Sequence, residues 1–118
     1  MAFEQTTIIG AVNRDVASIT DPDTREQGTR INVEVAFERE DTDRNIMVPY
    51  RAWFDVHCFG GLHERARQLT IGAMVMVVGR VDQLRPYMDK QGKPRASATL
   101  RAFRLEVLDG IVSVMEEE

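Results

Sequence analysis

WFDVHCFGGL, residues 53–62, decides how the middle of this 118-residue chain folds, because apolar side chains recur at every second position along it. Neighbouring side chains of a β-strand point to opposite faces. The stretch therefore predicts a strand that ends at Gly60-Gly61, with an apolar face for the core and a mixed face. The apolar face carries Phe54, Val56 and Cys58, and the mixed face carries Trp53, Asp55, His57 and Phe59.

The same alternation bears on whether His57 and Cys58 form a reactive site. A cysteine nucleophile and its base must lie roughly 2.6–3.2 Å apart, and adjacent strand residues point away from each other. His63 is left as a remote partner for the thiol. Zinc is normally four-coordinate, and the local candidates are only Asp55, His57 and His63. The sequence therefore predicts a buried Cys58, with no catalytic residue, no metal site and no cofactor.

Outside this stretch, hydrophobic patterning predicts further strands and one helix. The strands cover residues 6–12, 31–38, 50–59, 73–84 and 95–108, the helix covers residues 62–69, and loops cover residues 21–30, 39–45 and 88–94. Five strands with a helix between the third and the fourth are the outline of an OB-fold. We therefore predict an all-β fold over residues 1–108, a five-stranded OB-fold Greek-key barrel with one short helix. Residues 109–118 form a short acidic tail.

The formal net charge of −4 is unevenly distributed along the chain. Residues 1–50 hold five basic and ten acidic side chains, whereas residues 51–108 hold ten basic and five acidic ones. A basic surface can therefore coexist with an acidic chain. The single cysteine excludes an internal disulfide, and no signal-like or membrane-spanning apolar run is present, so a reducing, cytoplasmic setting without a membrane is expected.

A basic cluster with an aromatic residue falls on the predicted hairpin between the last two strands. Tyr87 lies among Arg80, Arg85, Lys90, Lys93 and Arg95. Basic side chains pair with phosphates and aromatic rings stack on bases, which favours a surface for nucleic acid. An exposed hairpin is also often basic for solubility alone. Trp53 and Phe59, on the mixed face of their strand, are also candidates for stacking on bases. Their pattern is equally consistent with packing under a loop or in a subunit interface.

These residues also carry a resemblance to the bacterial single-stranded DNA-binding protein family, from about residue 7 to residue 108. IIGAVNRD (residues 8–15) is similar to the family's opening strand, and WFDVHCFGGLHERA (residues 53–66) to the segment that runs from Trp through Phe-Gly into the helix. The matches continue in register with Gly72, with VVGRV (residues 77–81) and with the hairpin that contains Tyr87, Gly92 and Arg95.

The resemblance implies an OB-fold that binds single-stranded DNA without strong sequence preference and works as a homotetramer, with a dimer as the alternative. It places the base-stacking aromatics on Trp53, Phe59 and Tyr87. From the basic hairpin itself we predict phosphate contacts by Arg80, Arg85, Lys93 and Arg95, with Arg14 and Arg51 as weaker candidates. A second hypothesis is an interaction module similar to the primosomal OB proteins, for which protein assembly matters more than DNA coating.

The sequence also departs from the family pattern. Acidic Glu40-Asp41 stands where a further stacking aromatic is expected, and Asp55 takes a position that is often basic, so both changes should weaken DNA binding. The chain stops at SVMEEE without the family's flexible linker and hydrophobic end. Replication or repair proteins are therefore kept as candidate partners, although the tail motif that usually recruits them is absent.

Overall fold

The computed structural model describes residues 4–92 and 94–108, in which it places six β-strands and one short helix. The strands are β1 (Thr6–Val12), β2 (Ala17–Thr20), β3 (Gln27–Asp41), β4 (Ile46–Phe59), β5 (Met74–Met88) and β6 (Pro94–Val107), and the helix α1 (Gly61–Ala66) lies between β4 and β5. The all-β prediction with one short helix is confirmed. The count of five strands is wrong, because it omits β2. The predicted acidic tail, residues 109–118, lies outside the described residues.

The strands pair into one sheet that closes on itself. The order of neighbours is β1-β5-β6-β4-β3-β2, and β1 also pairs with β3, so five strands form a ring and β2 lies beside β3 at its edge. The pairing of β4 with β6 is parallel, and the other pairings are antiparallel. This parallel pairing brings residues 54–57 beside residues 98–101, which are far apart in the sequence.

The core lies inside this ring and is built from alternate residues of its strands. Ile31 and Val33 of β3 are fully buried, as are Val56 and Cys58 of β4. Burying an aliphatic side chain contributes roughly 1.5–3 kcal/mol. The other buried apolar residues of the cluster are Ile8, Val12, Ala66, Val75, Val77, Leu100 and Leu105. Phe37, which alternation assigns to the same face as Ile31, is 42% exposed because β3 continues beyond the core.

Two long hairpins extend from the ring and position the surface described below. In the β3–β4 hairpin the pairing runs from Gly28 opposite Phe59 to Asp41 opposite Ile46. In the β5–β6 hairpin it runs from Val75 opposite Val107 to Met88 opposite Pro94. The loop predicted over residues 39–45 is therefore confined to residues 42–45. Strand pairing extends both hairpins past the point where their hydrophobic pattern ends.

Candidate nucleic-acid interface

The two faces of β4 separate His57 from Cys58, as alternation predicts. Cys58 is fully buried, and burial raises the pKa of its thiol to about 12, so the thiol is protonated at neutral pH. His57 lies half-buried on the other face, where burial, outweighing the attraction of Asp55, lowers its pKa. The more remote His63 is engaged elsewhere, since its Nδ1 lies 2.7 Å from the hydroxyl of Thr29. This part of the chain holds no thiol that a histidine activates.

Residues 4–92 and 94–108 show neither a clustered metal-binding group nor a membrane-spanning helix. No group of three or more His, Cys, Asp or Glu side chains in these ranges is arranged to hold a metal ion. Within the same ranges, no helix has both the length and the apolar character needed to cross a bilayer.

A groove between β4 and the β5–β6 hairpin brings together two of the three predicted stacking residues. Trp53 of β4 is 49% exposed and Tyr87 of β5 is 50% exposed, and both line this groove of about 720 Å³. Arg51 and Tyr50 also line it, as do Pro94 and Ser97. Exposed aromatic rings beside a guanidinium are the chemistry that binds unpaired bases and their phosphates. We call this set of residues the Trp53–Tyr87 groove.

Acidic side chains moderate the charge beside this groove. The guanidinium of Arg51 lies 3.3 Å from a carboxylate oxygen of Glu34, which is itself directly opposite Trp53 on β3. Asp55 accepts a hydrogen bond of 3.0 Å from the side-chain amide of Asn32. Arg51 therefore lines the groove, but its charge is partly neutralised within the chain.

Phe59, the third predicted stacking residue, lies outside the Trp53–Tyr87 groove. It is only partly exposed, and its ring contacts both strands that flank β4. On the β3 side it packs over Gly28, where an added Cβ would come within 2.5 Å of two ring atoms. On the β6 side the guanidinium carbon of Arg101 lies over the ring, 4.4 Å from its centroid. The His57 and Phe59 rings are nearly perpendicular, at 84°, with their centroids 6.5 Å apart.

Arg101 is a residue of this surface that sequence reasoning missed. Its guanidinium is 2.9 Å from a carboxylate oxygen of Asp21, and this hydrogen bond is the main reason why the pKa of Asp21 is lowered. Arg101 also lines a second groove of about 380 Å³ together with Arg80, Asp82 and Phe103. Its position beside β4 follows from the parallel β4–β6 pairing, which the alternation of single strands cannot reveal.

The other predicted phosphate contacts that the structure describes lie on β5 and just after β1. Arg85 is exposed on β5, two residues before Tyr87 and therefore on the same face of that strand. Arg80 is also exposed, whereas Arg14 is exposed just after β1, away from both grooves. Lys93 and the side chain of Arg95 lie outside the part of the chain that the structure describes.

A second aromatic feature of the β3–β4 hairpin was also missed. Phe37 and Tyr50 are directly opposite each other, and their rings stack with centroids 5.8 Å apart at an interplanar angle of 18°. Alternation alone places Phe37 on the same face as Ile31, and its position opposite Tyr50 depends on the register of the β3–β4 hairpin. The acidic Glu40-Asp41 segment lies farther along the hairpin, where Asp41 binds Arg44 at 2.8 Å.

Comparisons with solved structures identify folds similar to this one. The chain is similar to the small single-stranded DNA-binding protein of Streptomyces coelicolor, with 21% identity over 91% of this chain and 95% of that one and a TM-score of 0.66. It is also similar to the Plasmodium falciparum SSB in its complex with single-stranded DNA, with 14% identity over 92% and 97% of the two chains and a TM-score of 0.70.

A third similar structure is a deletion mutant of the single-stranded DNA-binding protein of Thermus aquaticus. It is 19% identical over 90% of this chain and 50% of that one, with a TM-score of 0.68. No curated protein sequence matches the chain significantly. These likenesses show an all-β OB-fold of the single-stranded DNA-binding type with one short helix. The family model for the single-strand binding protein family matches residues 3–108, and the chain therefore belongs to that family.

Proposed function

We propose that this protein binds single-stranded DNA with little sequence preference and so protects or organises it during replication, recombination or repair. The observation that carries the proposal is the Trp53–Tyr87 groove, in which half-exposed rings from two different hairpins lie beside Arg51. Membership of the single-strand binding protein family supports the same ligand. Stacking on aromatic rings tolerates every base, because each base has a flat apolar face.

The roles of individual residues follow from this geometry. Trp53 and Tyr87 stack on bases, and stacking contributes ~1–3 kcal/mol per base. Phosphates pair with basic side chains, namely Arg51, Arg80, Arg85, Lys93, Arg95 and, just after β1, Arg14. The protein acts by binding, without catalysis and without a cofactor, in the cytoplasm.

We also propose that the ring of β1, β3, β4, β5 and β6 is the Greek-key barrel of the OB-fold, with β2 as an added edge strand. The protein assembles as a homo-oligomer, with a tetramer expected and a dimer as the alternative. Apolar side chains on β1 and β6 support assembly, since Ile9 and Phe103 are each 51% exposed. Size-exclusion chromatography with light scattering gives the mass, and a monomer at micromolar concentration contradicts the assembly.

The comparisons do not favour the primosome-type interaction module. The similar structures are single-stranded DNA-binding proteins, one of them in complex with single-stranded DNA. Salt separates the two functions, because phosphate contacts release counterions and the logarithm of the binding constant then falls linearly with log[salt]. A protein-docking module would bind DNA feebly at every salt concentration.

The decisive experiment uses the single tryptophan of the chain as a reporter. Oligo-dT is titrated into the folded protein at low salt while the fluorescence of Trp53 is followed. Stacking of a base on the indole should quench the emission strongly. Unchanged emission, with circular dichroism confirming the fold and with no retention of labelled oligo-dT, would refute DNA binding through this groove.

A further inference from the structure

The ring of Phe59 is enclosed on the binding side of β4. Gly28 packs beneath it from β3, and the Arg101 guanidinium lies 4.4 Å from its centroid on the β6 side. By contrast, Trp53 and Tyr87 keep about half of their surface in solvent, at 49% and 50%. A base that approaches this end of β4 therefore meets the guanidinium of Arg101 before it can reach the ring.

The guanidinium is held in place by an ion pair with a carboxylate in the turn after β2. Asp21, whose side chain is 7% exposed, binds it through Oδ2 at 2.9 Å. The other oxygen of Asp21, Oδ1, accepts hydrogen bonds from the backbone N–H groups of Asp23 at 2.8 Å and Thr24 at 3.2 Å. Asp21 is therefore fixed by its own loop, and it fixes Arg101 in turn.

The same loop is also attached to the end of β4. A carboxylate oxygen of Glu26 accepts a hydrogen bond of 3.0 Å from the backbone N–H of Gly60, the residue after Phe59. Residues 21–26 thus hold both the guanidinium and the backbone next to the ring that it covers. A base could reach the Phe59 ring only by displacing Arg101. This would break the ion pair with Asp21 and the cation–π contact with Phe59, and the base would gain only one stacking contact in exchange.

The guanidinium itself offers a surface to a nucleotide. The side chain of Arg101 is 46% exposed, and bases stack on planar guanidinium groups as they do on aromatic rings. We propose that Arg101, and not Phe59, is the stacking surface at this end of β4, and that Asp21 is the positioning residue that holds it over Phe59. The role of Arg101 rests on the proposed binding of single-stranded DNA.

A conservative substitution separates stacking from charge. Arg101→Lys keeps the positive charge but removes the plane, and Arg104→Lys makes the same change on the same strand at an exposed arginine paired with Glu106. Affinity for labelled oligo-dT is measured by fluorescence anisotropy, and thermal unfolding confirms that both variants fold. We expect Arg101→Lys to weaken binding roughly fivefold or more, and Arg104→Lys to change it less than about twofold.

An oligomer of the same length built from abasic sites distinguishes stacking from phosphate pairing. It has phosphates but no bases, so wild type and Arg101→Lys should bind it equally. Equal affinity of Arg101→Lys and Arg104→Lys for oligo-dT overturns the proposal, as does tighter binding by Arg101→Lys, which would mean that the guanidinium merely covers Phe59. Failure of the wild-type protein to bind oligo-dT at all would instead refute the proposed function.

The positioning role of Asp21 has its own matched control. Asp21→Asn and Asp23→Asn remove the same charge from the same loop, but only Asp21 contacts Arg101. Both variants lose a negative charge and so gain general affinity for a polyanion. Asp21→Asn should nevertheless bind oligo-dT roughly two- to threefold more weakly than Asp23→Asn, because the guanidinium of Arg101 is no longer held over Phe59. Equal or tighter binding by Asp21→Asn would show that Asp21 does not position a stacking surface.

Discussion

The contribution of Trp53 can be measured by a pair of substitutions at that position. Trp53→Leu removes the aromatic face, whereas Trp53→Phe keeps one of smaller area. Trp53 is 49% exposed and lies on the outer face of β4, opposite Glu34 rather than against the core. Its replacement should therefore change ligand binding far more than folding.

The size of each effect follows from this position. A lost stacking contact of ~1–3 kcal/mol corresponds to a roughly 5- to 150-fold weaker binding constant for oligo-dT. The half of the indole that is buried makes apolar contacts, most of which leucine retains, so the free energy of unfolding should fall by no more than about 1 kcal/mol. Trp53→Phe should bind within about threefold of wild type, because it still offers a ring.

Because both variants lack the fluorescent reporter, the assay is anisotropy of labelled oligo-dT, with urea denaturation as the test of stability. The double variant with Tyr87→Leu extends the test. If the two rings of the Trp53–Tyr87 groove stack on different bases, the two losses in binding free energy should add within about 0.5 kcal/mol. Equal affinity of Trp53→Leu and Trp53→Phe would refute the stacking role of this residue.

Three further predictions concern the body of the fold. Cys58 should not react with a thiol reagent in the native protein and should react after unfolding, since its thiol is buried with a pKa of about 12; rapid native labelling would contradict this. Gly28→Ala should lower the free energy of unfolding by about 1–3 kcal/mol, because the new Cβ would lie 2.5 Å from the Phe59 ring. Gly61→Ala, with nothing within 4 Å, is its control in urea denaturation, and equal stability of the two would show that both the ring and the Cys58 carbonyl, 2.8 Å from the new Cβ, can move aside. The pKa of Asp21 is lowered from 3.8 in the fold, so its ionised form stabilises the protein above that pH, and the stability is lost as pH falls through the lowered value. Asp21→Asn should therefore be less stable than wild type at neutral pH, with the difference shrinking below about pH 4, and a pH-independent difference would contradict the linkage.

Local periodicity predicts those features of this fold that depend on a single strand. The alternation in β4 is sufficient to place Cys58 in the core and Trp53 in solvent, because the side-chain period of a strand is fixed by its backbone. Turn chemistry likewise locates the β5–β6 hairpin, where Gly92 has a positive φ of 77°. Both features follow from residues that are close together in the sequence.

Features that depend on pairing between distant segments cannot be predicted from local periodicity. Strand β2 is four residues long and forms through its register with the start of β3, from Ala17 opposite Arg30 to Thr20 opposite Gln27. Phe37 has the spacing of a core residue, but the hairpin carries it beyond the ring. The contact between Arg101 and Phe59 requires the parallel β4–β6 pairing, which no local pattern specifies.

Acidic residues reduce the positive charge that this surface presents in a chain of net charge −4. Arg51 and Arg101, which lie beside the aromatic residues, are both paired with carboxylates, at 3.3 Å with Glu34 and 2.9 Å with Asp21. A phosphate must compete with these partners, so each pair contributes less attraction than an isolated arginine would. Asp21 also restricts the guanidinium of Arg101 to a position over the Phe59 ring, so that less entropy would be lost if a base stacked on it. If single-stranded DNA binds as proposed, these acids should therefore reduce the salt-dependent share of binding and leave a larger share to base stacking.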